Sequence, residues 1–331
     1  MEKVTVGVYS PSDDESLRKI AAVDGRINVE YLSPLIAAER KGDGDAGRRL
    51  DSLLAEVEVL YGWVQQTPRN LLARAPRLKW IQVMSAGVDQ LSDDIRRSPV
   101  TVTNVSGIHG IAIGEFVLEI MLMFAKRAPL CFQLKQEKRF DRFFPDTLRG
   151  RTVGIIGLGH IGREVARLAK AFGMRVMATR RSAREGSRAR YTDIVYPRDQ
   201  LTDMLGQSDF VVLALPLTRE TAGLIGERQL RAMKPGAYLV NVARGAVIDE
   251  GALIRALEEN WIAGAGLDVF STEPLPRDSR LWELPNVIMS PHVSGGMPDY
   301  MERTMEVFCE NLKRYLTGKK LRHVVHKERG Y

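Results

Sequence analysis

Residues 151–182 read RTVGIIGLGHIGREVARLAKAFGMRVMATRRS, and this stretch decides the fold. Residues 152–156 (TVGII) are a short β-branched run with the composition of a buried strand. Gly157-Leu158-Gly159-His160-Ile161-Gly162 follows, and residues 163–172 then place Val165, Ala166, Leu168, Ala169 and Phe172 on one helical face. Gly173 is a helix stop, and a second strand covers 175–178. The unit is strand, glycine turn, helix, strand. In such a unit Gly157 permits the tight turn, Gly159 lets the backbone approach a pyrophosphate, and Gly162 lets helix and strand pack closely. The helix N-terminus then offers free N–H groups and a partial positive charge to the phosphates. A GxGxxG alone is a weak signal; between a strand and a helix it points to a dinucleotide site.

The chain has 331 residues, enough for about two domains. A hydrophobic share of 44% with 27% charged residues is globular, and no apolar run reaches the length of a membrane span. The N-terminus (MEKVTVGVYS) goes almost directly into a strand without a signal-peptide pattern, and two cysteines, Cys131 and Cys309, imply no disulfide framework. A reducing, cytoplasmic setting is the expectation. The net charge of +7 is uneven: residues 180–190 contribute +4 and residues 313–331 contribute +6, leaving about −3 elsewhere. No broad basic face tracks a nucleic-acid backbone, so neither nucleic acid nor membrane is expected as partner. The C-terminal basic cluster reads as a solvated tail containing His323 and His326, and no metal-ligand set is read.

Strands are expected at 4–9, 27–31, 57–61, 79–83 and 100–103, with helices at 13–22, 48–54 and 68–75 between them. Residues 111–126 predict a long apolar helix, in which Gly114 costs some stability. Residues 135–149 have no clear period and read as an extended excursion, a candidate subunit contact. Beyond the glycine unit, strands are expected at 210–215, 238–242, 263–269 and 286–289, helices at 226–233 and 249–260, and a terminal helix at 299–317. This alternation is that of an α/β protein with doubly wound parallel sheets.

Several further stretches fall in a fixed order: Ser85-Ala86-Gly87-Val88-Asp89, the glycine turn, Leu215-Pro216-Leu217-Thr218, Asn241-Val242-Ala243-Arg244-Gly245, Gly266-Leu267-Asp268-Val269-Phe270 with Glu273-Pro274, and Pro291-His292-Val293-Ser294-Gly295. Together they resemble the D-isomer-specific 2-hydroxyacid dehydrogenases, over nearly the whole chain. The resemblance implies a Rossmann nucleotide domain inserted in a flavodoxin-like substrate domain, with the substrate domain at 1–103 and 295–331 and the dinucleotide-binding domain at 104–294. It implies hinges near Asn104 and Ser294–Gly296, and a homodimer formed through the nucleotide domain.

The resemblance puts the catalytic roles on Arg244, Glu273 and His292, and elementary chemistry agrees. Reducing a 2-oxo acid needs a hydride from a nicotinamide and a proton for the new hydroxyl. A histidine titrates near neutral pH and suits the proton, so His292 is the candidate acid/base. Glu273 would orient it and favour the imidazolium. Arg244 presents a fork of donors that can hold the carboxylate and polarise the carbonyl. The same resemblance gives Ser85, Ala86 and Gly87 to the substrate carboxylate, with Arg244 and His292 also touching substrate. It gives His160, Ile161, Leu215, Pro216, Val242, Ala243 and Asp268 to the cofactor beside the three glycines. His109, near the start of the long helix, is a further candidate for approaching the cofactor.

NAD-specific sites usually carry an acid at the end of the second strand. Here that strand ends Thr179-Arg180-Arg181-Ser182, with Arg180 where NAD enzymes of the family commonly have Asp. Two guanidiniums, with hydroxyls from Thr179 or Ser182, suit a 2′-phosphate, so NADPH is the expected cofactor and NADH a possible one. The strand end resembles the NADP-type glyoxylate/hydroxypyruvate reductase branch, which makes small 2-oxo acids the expected substrates. Tyr61–Trp63, Met84, Phe143, Phe144, Trp282 and Met297 are candidates for setting substrate size. Formate dehydrogenases share the fold but carry Gln where Glu273 stands. The alternative from another class is a corepressor-like protein that senses dinucleotide without much turnover.

Overall fold

The computed structural model describes residues 3–184 and 186–331. They divide into two compact units: one runs to Ile108 and resumes at Pro298–Tyr331, and the other is His109–Met297.

The first unit holds β1 (Val4–Val8), β2 (Ile27–Tyr31), β3 (Val59–Gly62), β4 (Trp80–Val83) and β5 (Thr101–Thr103). They form a parallel sheet in the order β2-β1-β3-β4-β5, the flavodoxin-like winding. Apolar side chains leave both faces. Val6, Val8, Val59 and Trp80 pack with Ile20 of the helix Asp14–Ala21 and with Met305, Phe308 and Leu312 of the helix Tyr300–Leu316. Leu60, Ile81 and Val83 pack on the other side with Ile36, Leu50 and Leu54 of the helices Ser33–Arg40 and Gly44–Leu54. Each large apolar side chain buried this way contributes roughly 1.5–3 kcal/mol.

The last helix is also held by polar contacts. Trp80 Nε1 donates to Thr103 Oγ1 at 2.7 Å, Thr103 Oγ1 donates to Gln82 Oε1 at 2.7 Å, and Asn311 Nδ2 donates to Gln82 Oε1 at 3.1 Å. Asn311 also bonds the backbone of Arg322 in both directions. Asn311, Gln82 and Thr103 are fully buried, so every lost partner leaves a polar group in a dry interior.

The second unit holds β6 (Thr152–Ile156), β7 (Arg175–Thr179), β8 (Ile194–Tyr196), β9 (Phe210–Leu213), β10 (Tyr238–Asn241), β11 (Gly264–Leu267) and β12 (Val287–Met289). All are parallel, in the order β12-β11-β10-β9-β6-β7-β8. The winding reverses between β6 and β9, the Rossmann arrangement. Helices Gly110–Ala125 and His160–Ala171 cover one face, through Val117, Ile120, Phe124, Val165 and Ala169. Leu205, Leu230, Leu253 and Leu257 cover the other. Gly114 is the contact point of the first two helices: a Cβ there would lie 2.7 Å from Glu164 Cγ and 3.2 Å from Leu168 Cδ1. The helix gives up some propensity at Gly114 for a close approach to its neighbour. Two doubly wound parallel sheets are therefore present, as the alternation of elements implies. Among the described residues no helix is long and apolar enough to cross a membrane.

Several local expectations change. Residues 33–40 form a helix where none is expected, with Ile36 its only fully buried residue. The helix expected at 68–75 shrinks to Leu71–Arg74, because Asn70 takes a left-handed backbone (φ 51°) just before it. Residues 128–136 form a helix that is not expected, and it takes only the first two residues of the stretch 135–149; residues 139–147 have no regular structure, as an extended excursion would. The glycine-turn helix starts at His160, not 163, and Phe172 lies exposed beyond it. The C-terminal residues are not a solvated tail. Val324 bridges Thr103 in antiparallel sense, Val325 is buried, and Lys327 Nζ donates to the carbonyls of Ile95, Ser98 and Val100. His323 and His326 themselves are exposed.

Asn311→Ala is expected to destabilise the first unit by roughly 2 kcal/mol, since it removes one of the two donors to the buried Gln82 Oε1 and both side-chain bonds to the Arg322 backbone. Urea denaturation followed by tryptophan fluorescence measures this; an unchanged midpoint would show the network to be dispensable.

Candidate functional site

The glycine turn follows β6. Gly157 has φ 103°, and a Cβ there would lie 2.4 Å from the Ala214 carbonyl oxygen beyond β9. No other residue combines that backbone with that approach. A Cβ on Gly162 would lie 2.0 Å from the Gly157 carbonyl oxygen, so the first helical turn can sit on the strand end only without a side chain there. A Cβ on Gly159, by contrast, meets nothing within 4 Å. Gly159 is the N-cap of the helix His160–Ala171, and no side chain caps it. The first amides of the helix thus face open space, the arrangement that receives a phosphate. His160 is exposed and Ile161 half-buried at that end, and Leu215 and Pro216 stand beyond β9.

At the end of β7, Thr179 is buried and its carbonyl accepts from Gly157 N–H at 2.9 Å. Arg180 is half-buried; its Nε is out of water and meets no acceptor among the described residues. A buried guanidinium nitrogen without a partner is costly, and a bound anion would satisfy it. Arg181 and Ser182 are exposed beside it. The turn, the open helix end and Arg180 fit a phosphorylated dinucleotide.

Arg244 follows β10 in a turn shaped by Asn241. The buried Asn241 side chain accepts from Ala243 N–H at 3.0 Å and donates to the Arg244 carbonyl at 3.1 Å. This is an Asx-type turn, and it fixes the backbone that carries Val242, Ala243 and Arg244. Arg244 itself is half-buried, with Nη1 donating to the Ala243 carbonyl at 2.7 Å.

His292 lies just beyond β12. Its Nδ1 is 2.8 Å from Glu273 Oε2, and Glu273 Oε1 accepts from Phe270 N–H at 3.0 Å. An ionised carboxylate can only accept, so Nδ1 carries the hydrogen and Nε2 is left as the atom that exchanges a proton. The ring is half exposed. The backbone of His292 is left-handed (φ 55°), an unfavourable state for a residue with a side chain. Asp268 holds it there. The Asp268 carbonyl accepts His292 N–H at 2.8 Å. Its fully buried carboxylate accepts Ser290 Oγ at 2.6 Å, Val293 N–H at 2.8 Å and Ser294 N–H at 3.0 Å. The carboxylate is thus committed to the loop that carries His292.

His109 stands at the start of the helix Gly110–Ala125, against Gly295, where an added Cβ would lie 3.0 Å from His109 Cδ2. Burial, then the positive charge of Arg244, push its pKa down to about 4. It is therefore neutral at pH 7.

In the first unit, the turn Ser85–Asp89 follows β4. Every carbonyl in it is held. Ser85 O accepts Val105 N–H, Ala86 O accepts Asn104 Nδ2, Gly87 O accepts Ser85 Oγ, and Val88 O and Asp89 O accept Arg96 Nη2. The amides of Ala86, Gly87 and Val88 meet no acceptor among the described residues. A loop with its acceptors used and its donors open presents N–H groups to which an anion can bind. The sequence shows Asn104 and Asn241 only as turn and motif residues; their side-chain bonds are what build the two loops.

The size candidates separate. Tyr61 and Met84 are fully buried in the first unit's core, whereas Phe144 and Trp282 are exposed on the second unit. Trp63 is half-buried. Among the described residues no cluster of His, Cys, Asp and Glu is suited to a metal ion.

His109 gives a pH test. An unfolded chain binds its proton near pH 6.5 and the folded one only near 4, so stability is lost as pH falls through that window. Between pH 7 and 5.5 the wild type is expected to lose about 1 kcal/mol more than His109→Asn. Parallel curves for the two proteins in urea would contradict the shift.

Residues 118–294 match the family profile described as D-isomer specific 2-hydroxyacid dehydrogenase, NAD binding domain. The glyoxylate reductase of Thermococcus gammatolerans is 38% identical over 264 residues, 77% of this chain and 78% of that protein. The crystal structure of a D-isomer specific 2-hydroxyacid dehydrogenase family protein from Aeromonas salmonicida superposes with a TM-score of 0.84 at 34% identity, covering 98% of this chain and 100% of that one. The NADPH-dependent glyoxylate/hydroxypyruvate reductase of Sinorhizobium meliloti, solved with NADP and sulfate, superposes with a TM-score of 0.81 at 26% identity, covering 99% and 100%. A profile that spans the glycine turn and runs past His292, and relatives that extend it into the first unit, leave one conclusion: the chain belongs to the D-isomer specific 2-hydroxyacid dehydrogenase family.

Proposed function

We propose that this chain reduces small 2-oxo acids, glyoxylate and hydroxypyruvate foremost, to D-2-hydroxy acids, with NADPH preferred over NADH. The observation that carries the reading is the His292–Glu273 pair at 2.8 Å, which leaves one imidazole nitrogen available for proton transfer. The glyoxylate reductase relatives support the substrate class.

NADPH, when bound, supplies the hydride. The amides at the start of the helix His160–Ala171 take its pyrophosphate, and Arg180 and Arg181, with Thr179 and Ser182 beside them, take the 2′-phosphate. Leu215, Pro216, Val242 and Ala243 flank the cofactor. In the first unit, which acts as the substrate domain, the amides of Ala86, Gly87 and Val88 receive the substrate carboxylate. In the second, Arg244 polarises the 2-oxo group and stabilises the negative charge that grows on its oxygen. His292 delivers the proton to that oxygen from Nε2, and Glu273 holds the ring in place. Asp268 acts by fixing the loop that presents His292. The exposed Phe132, Phe140 and Phe144 support a homodimer formed through the second unit.

Purified protein assayed for NADPH oxidation against a panel of 2-oxo acids tests this reading. Turnover with glyoxylate and hydroxypyruvate is expected. Intact NADPH binding with no turnover across the panel would favour a dinucleotide-sensing protein instead. His292→Gln is expected to lower kcat by ~100-fold or more while NADPH affinity stays within about twofold, read by stopped-flow and cofactor fluorescence. Arg180→Asp with Arg181→Ala is expected to weaken NADPH by tenfold or more relative to NADH, on the order of 1.4 kcal/mol. Equal losses for both cofactors would remove the 2′-phosphate assignment.

A further inference from the structure

The turn beyond β4 is held from two sides, and both holds lead to the last residues of the chain. On the upstream side, Val105 N–H donates to the Ser85 carbonyl, and Asn104 Nδ2 donates to the Ala86 carbonyl at 2.8 Å. On the downstream side, Arg96 Nη2 donates to the carbonyls of Asp89 at 2.7 Å and Val88 at 3.1 Å, and its Nε donates to that of Leu91 at 2.9 Å. One guanidinium thus serves three carbonyls, which its rigid fork of donors allows. Arg96 lies half-buried in the short helix Asp93–Arg97.

These holds decide where the open amides point. A trans peptide unit is planar, with its carbonyl and the next N–H on opposite sides. A carbonyl drawn into the scaffold therefore sends the following N–H the other way. The carbonyls of Ser85, Ala86 and Gly87 are all held, so the amides of Ala86, Gly87 and Val88 turn away from the groups that hold them. Their common aim depends on the curl of the turn, and Arg96 gathers the far end of that curl to one point.

The C-terminal residues join the two sides. Asn104 N–H donates to the His323 carbonyl at 3.1 Å and Val325 N–H donates to the Val102 carbonyl at 2.8 Å, so residues 323–325 lie along the edge of β5 as an antiparallel strap. Two residues later, Lys327 Nζ donates to the carbonyls of Ile95, Ser98 and Val100. Ile95 precedes Arg96 in its helix and Ser98 is the C-cap of that helix, the end at which a cation is favoured. One strap therefore grips Asn104 at one point and the helix of Arg96 at another.

We propose that Arg96 is a positioning residue for the amides of Ala86, Gly87 and Val88, and that Lys327 is a second one, acting through the strap 323–327 on Arg96 and Asn104 together. The inference rests on the placement of the substrate carboxylate at these amides given above. A carboxylate held there is bound alike in the ground and transition states, so a loosened turn raises KM and leaves kcat. The cofactor residues lie in the other unit, so NADPH affinity stays as it is.

The test compares glyoxylate kinetics and calorimetric titration of oxalate into the NADPH-loaded protein in wild type, Arg96→Gln, Arg96→Lys, Lys327→Met and Arg97→Gln. Arg97 is exposed, paired with Asp93 at 3.8 Å, and serves as the control. Arg96→Gln is expected to raise KM for glyoxylate and Kd for oxalate about fivefold or more, with kcat within about twofold and NADPH affinity unchanged. Arg96→Lys recovers part of this, since an ammonium reaches a carbonyl but lacks the fork. Lys327→Met moves both constants in the same direction by about twofold or more, and Arg97→Gln behaves as wild type. A merely structural role would lower the melting temperature or kcat and leave KM and oxalate affinity alone, and that result overturns the positioning assignment. An unchanged KM in Lys327→Met removes the strap from it. Should Arg96→Gln not fold, Arg96→Lys and Lys327→Met carry the test. Glyoxylate turnover in the wild type with unchanged constants in the folded Arg96 variants overturns the inference and leaves the functional reading standing. A wild type that binds oxalate, more weakly after Arg96→Gln, yet reduces no 2-oxo acid supports the positioning role and overturns the reductase reading. A wild type that neither binds oxalate nor reduces a 2-oxo acid overturns both.

Discussion

Asp268 ends β11 with its carboxylate out of water and three donors around it. Two are successive backbone amides, Val293 and Ser294, and the third is the Ser290 hydroxyl. A buried carboxylate is tolerable only when so satisfied. The constraint runs both ways: the loop satisfies Asp268, and Asp268 holds the loop in a shape it would not otherwise keep. His292 sits inside that shape, in a left-handed backbone state, with its amide on the Asp268 carbonyl. Glu273 meets the imidazole only because this loop is held. The bonds of one residue at a strand end therefore set the geometry of the hydrogen bond between His292 and Glu273.

The same logic recurs at other strand ends. Parallel strands deliver their carboxyl ends to one edge of a sheet, where the chain must turn and where backbone groups are freed from the ladder. Asn241 spends its side chain on the turn beyond β10, Asn104 and Arg96 spend theirs on the carbonyls of the turn beyond β4, and glycines shape the turn beyond β6. At the turn beyond β4 the acceptors are used up by the scaffold while the amides of Ala86, Gly87 and Val88 are left open, and the helix after the glycine turn starts without a side-chain cap. Such ends suit anionic ligands because they offer N–H groups rather than carbonyls.

Much of the fold is legible in the sequence because the strands are β-branched runs and the helix His160–Ala171 follows a spaced glycine turn. The helix Ser33–Arg40 escapes because it buries little beyond Ile36, so its apolar period is faint. The C-terminal residues escape for the opposite reason. Their lysines and arginines suggest solvation, yet the Lys327 ammonium is taken up by carbonyls and Val325 inserts into the core. Composition registers charge and is silent about where a partner waits. In the candidate site, the identity of Arg244, Glu273 and His292 is visible through the ordered motifs. The commitments of Asp268, Asn241 and Asn104 to backbone groups are not, since a side-chain bond to a distant amide leaves no spacing rule to read. The stack of Trp63 on Tyr300 joins residues from opposite ends of the chain and is equally invisible there.

The split of the first unit bears on how the protein is made. Its sheet is synthesised before residues 109–297, but the helix that covers Val8, Trp80 and Tyr61 follows them. Until Phe308, Asn311 and Val325 arrive, one sheet face and the edge of β5 stay open, while residues 109–297 form a continuous segment able to complete its own core. Contacts of such long sequence separation close slowly, and an open apolar face is a hazard in the interval. The nascent chain therefore carries a finished nucleotide unit beside an unfinished neighbour, and its exposure to chaperones and to misassociation is concentrated in the first hundred residues.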